Sequence, residues 1–63
     1  MDDQRAVLSS AVTSLDELVA RITGVAEEMH RRGDESLAAD LFEVERSLRM
    51  AHRRLGVVTR RLR

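Results

Sequence analysis

A chain of 63 residues without cysteine has neither disulfides nor thiolate metal ligands to support a small core. A domain of this size buries only about 60% of its unfolded surface, so its own core is marginal. Its 11 basic residues balance its 11 acidic residues, so the net charge excludes neither a protein partner nor an anionic one. Association with a further subunit is the stabiliser that remains.

The chain carries no recognisable targeting or membrane-spanning pattern. The first residues, MDDQRAVLSS, are acidic where a signal peptide is basic. The longest apolar runs have three residues, as at 18–20, whereas a membrane span needs roughly 20. We therefore expect a cytoplasmic protein with no membrane association, which the absence of cysteine also suits.

Apolar residues follow an unbroken heptad spacing in both halves of the chain. Their steps alternate between four and three residues, and no proline interrupts either half. This spacing predicts two α-helices that pack as in a coiled coil. The predicted contact residues are Leu8, Val12, Leu15, Val19, Ile22, Ala26 and Met29 in the first helix, and Leu37, Leu41, Val44, Leu48, Ala51, Leu55, Val58 and Leu62 in the second.

The segment HRRGDES at 30–36 interrupts this spacing and predicts a turn. Arg31 and Arg32 place positive charge on the last turn of a helix, where the helix dipole favours it. Gly33 suits a left-handed C-terminal cap, and either Asp34 or Ser36 suits the N-cap of the next helix. We predict one domain over 1–63, with helix 1 at about 3–32, the turn at about 33–34 and helix 2 at about 35–62.

The start of the first helix has an alternative. The segment Ser14-Leu15-Asp16-Glu17 has capping-box spacing and would also suit a helix that begins later. Leu8 and Val12 keep the heptad spacing upstream of it, so we favour the longer helix.

Further apolar residues lie beside both predicted contacts. They are Ala11, Leu18 and Val25 in the first helix and Phe42, Met50 and Val57 in the second. Burial of one large apolar side chain contributes roughly 1.5–3 kcal/mol, and a second hairpin would supply that burial. Scattered apolar surface residues need no partner, but the seven-residue recurrence of Ala11, Leu18 and Val25 and of Met50 and Val57 favours one.

The predicted fold class is thus all-α: an antiparallel, coiled-coil-like helical hairpin that dimerises into an up-down four-helix bundle. The predicted oligomer interface consists of Leu8, Val12, Leu15, Leu18, Val19, Ile22, Val25, Leu41, Val44, Leu48, Met50, Leu55, Val57 and Val58.

Charge is distributed unevenly along the chain. Residues 1–18 carry a net charge of −3, residues 19–26 of +1 and residues 27–45 of −5, and the seven arginines of 46–63 balance them. Within one hairpin the basic end lies beside few acids. A second hairpin packed head to tail would bring its acidic turn to that end, so we predict an antiparallel homodimer.

The arginines of the second helix are candidates for anion binding. They are Arg46, Arg49, Arg53, Arg54, Arg60 and Arg61, and they would bind the phosphates of a nucleic acid or nucleotide. The alternative is a solvated helix face whose cations lie favourably near a helix C-terminus. The zero net charge favours this alternative, and the absence of tyrosine and tryptophan argues against base stacking.

No catalytic or metal-binding arrangement emerges from the sequence. Glu27 and His30 have the Glu-x-x-His spacing of metal-binding bundles, but Glu27 lies on the outer side of its helix and His30 only at the margin of the contact. No nucleophile, base and orienting group can be combined. We therefore predict a non-enzymatic interaction or regulatory module without metal or cofactor, which self-associates and binds a protein partner. Nucleic-acid or nucleotide binding by the second helix is the alternative function.

Overall fold

Two long helices form an antiparallel hairpin in the computed structural model, which describes residues 2–62 and, of Asp2, only the backbone. Helix α1 comprises Asp2–Arg31 and helix α2 comprises Glu35–Arg61. Each helix begins and ends within one residue of the position predicted from the sequence. The two helices pack along their length, and the hairpin measures 49 × 14 × 9 Å between Cα atoms. The predicted all-helical hairpin is confirmed.

The turn between the helices satisfies the backbone groups of both helix ends. The Asp34 N–H donates to the Met29 carbonyl at 2.9 Å, and the Gly33 N–H donates to the His30 carbonyl at 3.1 Å. This is the Schellman pattern, and Gly33 adopts the left-handed conformation that it requires, with φ of 86°. The Asp34 carboxylate then accepts from the Leu37 N–H at 3.2 Å as the N-cap of α2. Two adjacent residues thereby end one helix and begin the next.

The face of α1 that contacts α2 is the predicted one. Val19 and Ala26 are buried there, at 5% and 0% exposure. The other predicted contact residues of α1 are half-buried: Leu8, Val12, Leu15, Ile22 and Met29. The heptad spacing therefore identified the inner face of α1 correctly.

The face of α2 that contacts α1 differs from the prediction at every second position. The half-buried leucine row is as predicted and consists of Leu41, Leu48, Leu55 and Leu62. The other row, which we call the α1-facing row, is Ala38, Glu45, His52 and Thr59. The prediction had placed there Leu37, Val44, Ala51 and Val58, which are exposed; we call these four the outer apolar row. The prediction of that row was wrong by one residue, because α2 is turned about its axis so that its leucine row lies between α1 and solvent.

The buried core is correspondingly small. Among the described residues the buried apolar side chains are Val19, Ala26 and Ala38, and none of the large ones is fully buried. The accessible surface is 5044 Å², whereas a compact monomer of its 7.1 kDa exposes roughly 4,100 Å². The excess of about 900 Å² is close to the roughly 800 Å² that one partner buries in a standard protein interface.

Candidate interaction surfaces

Half-exposed apolar residues form a stripe along each helix. In α1 the large ones are Val7, Leu18 and Val25, and in α2 they are Leu37, Val44 and Val58. All but Val7 are between 40% and 50% exposed, and Val7 is 60% exposed. Ala11 and Ala51 occupy the intervening positions of the same two stripes.

The two stripes lie on the same broad face of the hairpin. Each stripe residue comes one position before a residue of the helix contact, as Leu18 precedes Val19 and Val44 precedes Glu45. Antiparallel helices are related by an approximate two-fold axis normal to the plane of the pair. Positions with the same relation to the contact therefore lie on the same side of that plane. We call the combined stripes the apolar face.

The opposite broad face is polar. On α1 it presents Ser9, Thr13, Asp16 and Glu27, and on α2 it presents Arg49, Arg53 and Arg60, all exposed. Phe42 is the large apolar side chain on this side, at 38% exposure. The hairpin is therefore amphipathic as a unit, which the separate helical patterns had not shown.

The α1-facing row carries a polar interaction inside the helix contact. The Thr23 hydroxyl donates a short hydrogen bond to the Glu45 carboxylate. The same carboxylate oxygen accepts from Arg49 at 3.1 Å, one turn further along α2. These two donors, the Thr23 hydroxyl first, lower the pKa of the Glu45 carboxyl below its usual 4.5. The contact between α1 and α2 thus includes an ionised carboxylate at neutral pH.

Acid is expected to weaken the hairpin through this carboxylate. Because the pKa of Glu45 is lower in the folded chain than in the unfolded one, its contribution is complete above about pH 4.5 and is lost as the pH falls through the folded value. Hydrogen bonds from Arg31 and Arg32 likewise lower the pKa of the Glu28 carboxyl, so its contribution to stability is also lost as the pH falls. The melting temperature, measured by circular dichroism, should therefore fall as the pH is lowered from about 6 to about 3.

The variant Glu45→Gln should show a shallower fall, since it keeps an acceptor for Thr23 but does not titrate. The control is Glu17→Gln, an exposed carboxylate away from this interaction. Equal pH dependence of the Glu45→Gln variant and the native chain would contradict the assignment.

The candidate anion-binding arginines all lie exposed on α2. Two of them pair with acids of the preceding turn: Arg46 with Glu43 at 3.9 Å and Arg49 with Glu45 at 3.1 Å. The other four have no ion pair with a described side chain, and they are Arg53, Arg54, Arg60 and Arg61. Arg63, the last of the seven arginines, lies outside the described residues.

Two apolar residues accompany the four arginines on the outer surface of α2. Met50 is 61% exposed and Val57 41% exposed, and both lie on the side of α2 away from α1 and beside the apolar face rather than on it. An open depression of about 410 Å³ lies between Met50, Arg53 and Arg54. The predicted placement of Met50 and Val57 in the oligomer interface stays a prediction.

The sequence prediction missed two large residues of the apolar face. Val7 and Leu37 were not among the predicted interface residues, although Leu18, Val25, Val44 and Val58 were. The signal for Leu37 is that two rows of α2, 37/44/51/58 and 41/48/55/62, are both apolar. One neighbouring helix covers one row well, so a second apolar row indicates a second neighbour.

The remaining polar groups form no metal cluster within residues 2–62. There, no three His, Asp or Glu side chains lie close enough together to hold a metal ion. His30 instead lies 2.9 Å from the Glu35 carboxylate across the turn. Neither described helix is long and apolar enough to span a membrane.

Comparisons of the chain with protein-family models, with curated proteins and with solved structures found no match. The hairpin offers two candidate interaction surfaces, the apolar face and the arginine-bearing side of α2.

Proposed function

We propose that the protein is a non-enzymatic interaction module that self-associates through its apolar face, so that two hairpins form a four-helix bundle. The occupant of the apolar face is a second copy of the chain. In the bundle, Leu18, Val25, Val44 and their neighbours would become core residues. The assembled bundle would then offer its outer surfaces to a protein partner.

The rotation of α2 is the observation that carries this proposal. A hairpin that had to be stable alone would gain if α2 were turned about its axis, because Leu37, Val44 and Val58 would then replace Ala38, Glu45 and Thr59 against α1. Each such side chain contributes about 1 kcal/mol for the half that is still exposed. The observed rotation leaves that stabilisation unused in the single hairpin. It directs the leucine row and the outer apolar row together toward a position where another helix pair would lie.

Sedimentation equilibrium tests the proposal directly. At concentrations from about 1 to 100 μM, in the range where modest interfaces associate, the native chain should shift from its monomer mass of 7.1 kDa to twice that mass. A chain that stays monomeric throughout this range, while circular dichroism shows both helices formed, would contradict self-association.

A second candidate function is anion binding by α2. Its specific support is that Arg53, Arg54, Arg60 and Arg61 lack an ion pair with any described side chain. Two of them, Arg53 and Arg54, line a depression beside the exposed Met50. Such a surface suits the phosphates of a nucleic acid or nucleotide.

Electrophoretic mobility shift with a short duplex DNA and with a single-stranded RNA tests the second candidate. Binding through four arginines per chain predicts an affinity that falls steeply with salt, with a slope of roughly −3 to −4 in a double-logarithmic plot. Absence of any shift at about 20 mM salt, where phosphate binding is strongest, would exclude this function.

A further inference from the structure

The charge of the hairpin reverses along its length. The half that contains the turn, residues 17–47, has eight acids and four arginines and a net charge of −4. The open half, residues 1–16 and 48–63, has three acids and seven arginines and a net charge of +4. The apolar face therefore runs from an acidic end to a basic end.

Two arrangements allow two copies to join through this face with two-fold symmetry. If the turns lie together, the two acidic halves adjoin and the two basic halves adjoin. If the turns lie at opposite ends, each acidic half adjoins the basic half of the other copy. Adjoining charges of like sign oppose association and opposite signs favour it.

We propose that the two copies pack head to tail, with their turns at opposite ends, so that α2 lies antiparallel to α2 of the second copy. The inference rests on the proposed self-association and adds the orientation of the partner. Its structural basis is the set of charged residues that border the apolar face on α2.

Those border residues change sign midway along α2. Asp40 and Glu43 lie at the edge of the apolar face in the acidic half, and Arg54 and Arg61 lie at the same edge in the basic half, all exposed. Arg54 and Arg61 pair with no described acid, and Glu43 has only a 3.9 Å approach from Arg46. The edge thus carries charges available to a neighbour.

The head-to-tail arrangement brings these residues together. With the two-fold axis at the middle of α2, near residue 48, Glu43 lies level with about position 53 of the second copy, beside its Arg54. Asp40 lies level with about position 56, about 3 Å along the axis from Arg54 and about 7.5 Å from Arg61 of the second copy. The symmetry repeats these contacts on the other side of the axis.

Charge reversal at the border tests the pairing. The variant Asp40→Arg/Glu43→Arg and the variant Arg54→Glu/Arg61→Glu should each dimerise at least about 10-fold more weakly than the native chain at about 150 mM salt. An equimolar mixture of the two should recover native affinity, because each restores opposite charges for the other. Failure of the mixture to dimerise more tightly than either variant alone would overturn the pairing.

A control separates border pairing from attraction by net charge. The variants Asp16→Arg/Glu27→Arg and Arg53→Glu/Arg60→Glu reverse equal charges on the polar broad face. Their mixture should gain less than about 3-fold over each variant alone, because surface charges beyond a Debye length are largely screened. An equal gain in both mixtures would overturn the pairing.

The orientation itself is measured with a label near the turn. The chain has no cysteine, so Ser36→Cys, in the first turn of α2, provides one labelling site per copy. Twelve residues from the axis at 1.5 Å each place the two labels about 36 Å apart head to tail. With the turns together they would lie within about 20 Å, given interhelical distances of 8–10 Å.

Double electron–electron resonance on the spin-labelled dimer distinguishes these distances. A distance near 36 Å supports the inference, and one below 20 Å overturns it while self-association stands. If sedimentation shows no dimer, it is the proposed function that fails.

Discussion

Glutamate at both Leu18 and Val44 should convert the dimer into monomers. These residues lie near the middle of the apolar face, one on each helix, so a bundle would bury four new carboxylates without partners. Loss of the apolar contacts and the cost of desolvating the charges together predict a dissociation constant at least about 100-fold higher. Sedimentation equilibrium of the Leu18→Glu/Val44→Glu variant provides the measurement.

The matched control is Thr13→Glu, which introduces the same charged side chain at an exposed residue of the polar broad face. It should leave the dissociation constant within about threefold of native. Because the isolated hairpin has a small core, the double variant also loses the stabilisation that the dimer provides. The milder pair Leu18→Ala/Val44→Ala, with its smaller and uncharged change, should therefore weaken dimerisation by about 10-fold with the helices retained. Unchanged dimerisation in both double variants would contradict the role of the apolar face.

Aspartate at Ala26 should unfold the hairpin. Ala26 is completely buried in the contact near the turn, and Ala38 of α2 is buried at the same end. A larger, ionised side chain there must either separate the helices or remain unsolvated. We expect a loss of about 3 kcal/mol or more, which is comparable with the whole stability of a domain of this length.

Circular dichroism measures this loss, and Ala20→Asp is the control, because Ala20 is exposed on the same helix and the change in helix propensity is identical. The Ala20→Asp variant should stay within about 1 kcal/mol of native. Equal destabilisation by both changes would show that helix propensity, rather than the close contact of the two helices, decides the effect.

The sequence was sufficient for the helices, the turn and the inner face of α1. Heptad spacing determines which residues of α1 share a face, and Gly33 and Asp34 have the conformational and capping preferences that the turn uses. In α1 two apolar rows flank Leu8, Leu15, Ile22 and Met29, and the predicted row of Val12, Val19 and Ala26 is the one that packs against α2. These predictions depended on local chemistry, which a sequence contains.

The inner face of α2 was not predictable in the same way. Its leucine row is bordered by the outer apolar row on one side and by Ala38, Glu45, His52 and Thr59 on the other. A prediction from heptad spacing chooses the more apolar of these two rows, because it assumes that the hairpin alone is the complete structure. The structure selects the other row, where Thr23 donates to Glu45 and Ala38 and Thr59 are buried. That choice depends on contacts between residues far apart in sequence, which spacing does not encode.

The division of the hairpin into one apolar and one polar broad face also limits how far assembly can proceed. In the proposed dimer, a pair of hairpins joined face to face would bury both apolar faces and leave a mostly polar surface outside. A third hairpin would then find no equivalent surface, so assembly would stop at two chains. Phe42 is already exposed on the polar broad face. An apolar substitution close to it would create a second apolar patch and allow further chains to attach.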